Sequence, residues 1–145
     1  MSRGDNSARP RHAGFTILSH TADTGLRVYG KDAGELLQNL VRGLMVLLGV
    51  PAGGGAEKES FVLACSDAQL FYSGVANEII YRVMTKKFAP SAVIASFSGD
   101  SCRVTLYGEY REPGAACREV KAAVLHDLRE IPVEDGLLLE IYFDV

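Results

Sequence analysis

The stretch "KDAGELLQNLVRGLMVLLGV", residues 31–50, constrains the fold of this chain most. Leu36, Leu37, Leu40, Val41, Leu44, Leu47 and Leu48 recur at spacings of three and four, the signature of one apolar helix face. Asp32 stands where an N-cap belongs, with Glu35 three residues on, and Gly49 and Pro51 end the pattern. A stripe of leucines this wide has to bury itself against another layer. The preceding runs Phe15 to Leu18 and Leu26 to Tyr29 are short and β-prone, so that layer is a sheet.

The rest of the chain repeats the theme. "PAGGGAEKE" reads as a flexible connector, and its glycines lack the GK[ST] of a phosphate-cradling loop. Ser60 to Ala64 reads as a strand. "SDAQLFYSGVANEIIYRVMTKKF" returns to helical spacing, with Leu70, Phe71, Val75, Ile79, Ile80 and Val83 on the buried face and Ser66 or Asp67 as cap. Ala92 to Ser98, Arg103 to Tyr110 and Arg118 to Leu125 alternate like strands, and "EDGLLLEIYFDV" is a DG turn feeding a last strand with Leu137, Leu139, Ile141 and Phe143 on its apolar side. Two amphipathic helices packed on a mostly antiparallel or mixed β-sheet make an α+β single domain. With 145 residues, 48% of them hydrophobic, there is material for one proper core. We expect a polar, basic tail over residues 1–14 and the domain over 15–145.

Fifteen Lys and Arg against 18 Asp and Glu give a net charge of −3, so no overall field draws the chain to nucleic acid, and a link to RNA would be indirect or local. Cys65, Cys102 and Cys117 are odd in number and lack a CxxC, which argues against a disulfide framework or a zinc site and for reduced cytoplasmic thiols. No apolar run is long enough to span a bilayer, and the first residues do not resemble a signal peptide, so no membrane partner is expected.

Carboxylates mark two distant parts of the chain. His20 and Asp23 lie in "LSHTADTGLRVYG", where Ser19, Thr21, Asp23 and Gly25 are also ordinary turn residues. Glu140, Tyr142 and Asp144 share the polar face of the last strand, and Val145 offers an α-carboxylate beside Asp144. If the two parts meet, Asp23, Asp144 and Val145 form a cluster of hard oxygen donors that favours a cation, calcium or magnesium rather than zinc. An ordinary exposed strand end is the other reading. Lys121 and His126, in "REVKAAVLHDL", fit a balancing cation and a partly buried histidine. There is no GxSxG and no evident nucleophile.

"HTADTGLRVYG" followed by an amphipathic helix, "NEIIY" in a second helix, "LYGE", "EVKAAVLHDL" and a final "EIYFDV" resemble, in that order, the archease family over residues 15–145. The resemblance implies a cytoplasmic accessory protein rather than an enzyme. Archeases promote guanylylation and repeated turnover of the RtcB-type RNA ligase in tRNA splicing and RNA repair, so RNA is met only through the ligase. The family's metal site maps to Asp23, Asp144 and Val145, with calcium as the first expectation and magnesium or manganese next. The lysine of its VKA motif maps to Lys121, a contact for partner or nucleotide. His20 and His126 are expected to support these groups, His20 by bracing Asp23. Two departures stand out: Val75 replaces the family's tryptophan in the second helix, and "REPGAACRE" lacks the histidine often found there. Alternatives are a small metal-dependent hydrolase using His20, Asp23 and Asp144, and a general chaperone or modulator of nucleic-acid-modifying proteins. Oligomeric state is left open.

Overall fold

Local signals build the first helix as its spacing predicts. In the computed structural model, which describes residues 14–19, 24–120 and 122–144 but not the side chains of Ser19 and residues 124–129, helix α1 spans Ala33–Leu48. Asp32 Oδ1 accepts from the Glu35 N–H at 2.9 Å, and Glu35 Oε1 accepts from the Lys31 N–H at 2.7 Å, two bonds that fix the start of the helix. Gly49, at φ 74°, closes the other end: its N–H reaches the Val46 carbonyl and the Val50 N–H reaches Met45.

Two strands precede α1, β1 (Phe15–Ser19) and β2 (Thr24–Gly30). After it come β3 (Glu57–Ala64), α2 (Ala68–Met84), β4 (Phe88–Ser98), β5 (Ser101–Tyr110), β6 (Ala122–Val133) and β7 (Gly136–Asp144). The expected single sheet is two: a four-stranded sheet in the order β1-β2-β7-β6 and a three-stranded one in the order β3-β5-β4. Every described pairing is antiparallel. Each helix touches strands of both sheets, and the three layers share one core. That position explains why α1 is buried beyond a single stripe, with Met45 joining the leucines and Gly43 leaving room for the Phe15 ring.

In α2, Asp67 is the cap, and Phe71, Val75, Ile79, Ile80 and Val83 face inward as expected. Leu70 does not: it is 56% exposed in the first turn, one residue short of the inward position that Phe71 takes. Arg118 to Leu125 is not one strand either. Residues 111–120 run irregularly, anchored by buried Val120 and by the Arg118 N–H on the Leu48 carbonyl at 2.7 Å, and β6 begins only at Ala122. Within the glycine-rich connector Gly53 is buried, where a Cβ would press on the Ala89 carbonyl and Glu109, while Pro51, Ala52 and residues 54–58 are exposed. All three cysteines are free thiols, and among the described residues no helix is long and apolar enough to cross a membrane.

Candidate functional site

Strand β7 lies between β2 and β6, so its end has a strand on each side. Thr24, the first residue of β2, pairs with Phe143, and Ala122, the first of β6, pairs with Asp144. Asp144 is exposed and has no ion-pair partner among the described residues. Three expected site residues are bonded directly to this row: Asp23 to Thr24, Lys121 to Ala122 and Val145 to Asp144. Asp23, Lys121 and Val145 themselves lie outside the described residues, as does His20. His20 and Asp23 belong to the segment between Ser19 and Thr24, which pair and close the β1–β2 hairpin.

His126 falls within β6, with its side chain outside the description. Its backbone is in a bulge: Val124 pairs with Tyr142 and Arg129 with Glu140, which leaves β6 three residues longer than β7 over this stretch. Bulges of this kind re-aim a strand beside functional sites. Among the described residues no group of three His, Cys, Asp or Glu side chains is arranged to hold a metal.

The face of β7 that carries Asp144 is less exposed than its sequence implies. Glu140 is only 7% exposed, because Arg27, directly opposite on β2, donates to its Oε2 from Nε at 2.8 Å and from Nη2 at 2.6 Å. Leu138 on the same face is buried too. Gly25 is a strand residue rather than a turn residue: a Cβ there would sit 2.6 Å from Tyr142 Cδ1 and 2.8 Å from the Ile141 carbonyl, so its absence admits the Tyr142 ring. Along this face Tyr142 therefore separates the partly buried Arg27–Glu140 pair from Asp144.

Asn77 is a residue whose role the sequence did not reveal. Its Oδ1 accepts from the Ala123 N–H at 2.8 Å, tying α2 to β6 two residues after Lys121. The signal was available in the family-like "NE" pair of α2, which carries no apolar periodicity of its own. Glu78 accepts from Arg82 one turn on.

A second polar cluster lies deeper. Glu59 on β3, 9% exposed, accepts from Arg82 Nε at 3.0 Å, from Lys86 Nζ at 2.8 Å and from the Tyr110 hydroxyl. Burial pushes the Glu59 carboxyl up, but the bonds from Lys86 and Tyr110 and the charges of Lys86 and Arg82 outweigh it and hold the pKa below its ordinary value. The bond to Glu59 and partial desolvation raise the Tyr110 hydroxyl. The Arg82 guanidinium lies 4.8 Å from the centre of the Phe61 ring. On the next layer, burial and the neighbouring Glu130 raise the Tyr72 hydroxyl. These groups satisfy one another and brace α2 against β3 and β5.

The family model for the archease proteins, typified by MTH1598 and TM1083, matches residues 15–145. The chain belongs to the archease family. Its structure is similar to the solution structure of protein 1598 from Methanobacterium thermoautotrophicum, with a TM-score of 0.70 and 22% identity over 92% of this chain and 100% of that one. It is also similar to the crystal structure of TM1083 from Thermotoga maritima, an archease described as a possible chaperone, with a TM-score of 0.63 and 22% identity over 90% of this chain and 96% of that one. Among curated proteins none matches the sequence. The α+β single-domain fold is thus that of the family. In this archease Val75 is fully buried in the core.

Proposed function

We propose that this archease is a non-catalytic activator of an RtcB-type RNA ligase, promoting guanylylation of the ligase histidine and so its repeated turnover. The observation that carries the reading is Asp144: an exposed carboxylate without a cationic partner among the described residues, flanked by the first residues of β2 and β6. Family membership and the description of TM1083 as a possible chaperone support an accessory role. Asp23, Asp144 and Val145 would hold a divalent cation, and an accessible, oxygen-only donor set suits calcium, magnesium or manganese. When bound, that cation supplies charge neutralisation for phosphate groups. Lys121 contacts the partner or its nucleotide, where its ammonium offsets charge on the departing pyrophosphate. His20 orients the Asp23 carboxylate, and His126 in the β6 bulge supports the same end of the sheet. RNA is engaged through the ligase and not by this chain.

The test is guanylylation and multiple-turnover joining by an RtcB-type ligase from the same organism, with wild type, Asp23→Ala and Asp144→Ala. Wild type stimulates and both variants, folded by their thermal melts, do not. Undiminished stimulation by both would remove the metal-centred account, and hydrolytic turnover by the chain alone would move the assignment to a hydrolase.

A further inference from the structure

Away from Asp144, a groove of about 350 Å³ opens between α1, the segment 50–52 that follows it and the start of β4, with Phe15 of β1 contributing to its wall. Its walls are apolar, formed in part by Phe15, Met45, Val50 and Pro90, and Arg42 is the one charged residue lining it. Val46, one turn beyond Arg42, lines the groove yet is 54% exposed. Ile17, on the same face of β1 as Phe15, is 38% exposed and continues the apolar surface along the strand. Leaving such side chains in water forgoes burial energy that a partner would recover.

Two further observations say what kind of partner fits. Strand β1 is an edge: it pairs with β2 on one side and has no strand on the other among the described residues, so its outer backbone groups can receive an added strand. Arg42 Nη1 donates to the neutral Asn39 Oδ1 at 3.0 Å, and no carboxylate pairs with its guanidinium among the described residues. An incoming segment therefore meets hydrogen-bonding backbone, an apolar trough and one unneutralised positive charge. The chain's own first 13 residues are a poor electrostatic match, since they carry Arg3, Arg9 and Arg11 against Asp5 alone.

We propose that this groove docks an extended segment of the partner protein, which adds as a strand beside β1, sets an apolar side chain in the trough and presents a carboxylate to Arg42. Alternate residues of a strand point to one side, so the segment has apolar and acidic residues at alternating positions. The proposal rests on the ligase reading and separates attachment to the ligase, at this groove, from activation, at the Asp144 end.

Biolayer interferometry tests it, with the RtcB-type ligase from the same organism immobilised and the full-length chain in solution as wild type, Val46→Glu, Arg42→Glu and Asp144→Ala. Val46 and Arg42 are exposed, so both groove variants keep the wild-type melt within a few degrees, which circular dichroism checks. The expected result is a loss of binding of about tenfold or more for each groove variant and a smaller loss for Asp144→Ala. Wild-type binding by both groove variants, with stimulation by wild type intact, overturns the groove and leaves the ligase reading standing. A wild type that neither binds nor stimulates the ligase overturns both. A wild-type dimer in analytical ultracentrifugation that Val46→Glu dissociates assigns the groove to a second copy and also overturns the proposal.

Discussion

Replacing Asn77 by alanine should separate stability from function. The substitution removes one acceptor, Oδ1, from the Ala123 N–H at 2.8 Å. That N–H faces away from β7 on the outer edge of β6, where Asn77 is exposed, so water can replace the lost bond. The cost is about 1 kcal/mol. For a domain of this size the unfolding entropy is on the order of 0.3 kcal/mol per degree, so the melting temperature falls by about 3 °C. A domain with the usual stability of roughly 5–15 kcal/mol then remains almost wholly folded at 25 °C. Stimulation of the ligase should nonetheless drop by about tenfold or more, as it does when a support for functional groups is removed, because the start of β6 and the adjoining Lys121 lose their tie to α2. Asn77→Asp keeps an oxygen acceptor at the same place and restores most of the effect. Single-turnover transfer of GMP to the ligase, run beside a thermal melt, reads both quantities. Wild-type stimulation by Asn77→Ala at the lowered melting temperature would refute the reasoning, and so would failure of Asn77→Asp to rescue it.

Other perturbations address the scaffold. Glu59→Gln leaves Arg82 buried with Glu78 as its remaining carboxylate, while half-exposed Lys86 can turn to water, so urea denaturation should show a loss of about 2 kcal/mol, below the full cost of breaking a buried pair. Since the Glu59 carboxyl is held below its ordinary value near 4.5, its contribution is present above that pH and is lost as pH falls further; acid titration of wild type should therefore converge on Glu59→Gln below about pH 4.5. At Gly30 an added Cβ would overlap the backbone nitrogen of Leu36, and Gly30→Ala should cost more than about 3 kcal/mol or prevent soluble expression. Gly34→Ala is the control: its nearest foreign atom is Asp32 Oδ1 at 3.5 Å, and the helix should gain about 0.5–1 kcal/mol in the same denaturation assay.

What could be read in the chain depended on how local the information was. Helix α1 was legible down to its Asp32 cap and Gly49 stop, because those bonds join residues within six positions of one another. The division into two sheets was not, since alternation says that a segment is a strand but not which distant strand it joins. Residues 118–120 alternate like the strand that follows them, yet the bond from the Arg118 N–H to Leu48 and burial of Val120 hold them outside the sheet. Glu59 ends "PAGGGAEKE", which reads as a connector; the cations that make its burial tolerable come from positions 82 and 86 and its hydroxyl from 110. No window along the sequence contains that set.

The candidate site divides in the same way. Period-two geometry assigns Glu140 and Asp144 to one face of β7, and as carboxylates four residues apart they are indistinguishable in the sequence. Register separates them. Glu140 meets Arg27 across the ladder, is neutralised and becomes part of the buried structure. Asp144 lies beyond the reach of that pair, on the far side of Tyr142, with Ala122 opposite it and no cation supplied by the described residues. Because β7 is an inner strand, its end lies between the first residues of β2 and β6: Thr24, which follows HTAD in the sequence, pairs with Phe143, and Ala122, which ends VKA, pairs with Asp144. The exposed Asp144 carboxylate, without a cation among the described residues, is the feature on which the proposed activator reading depends.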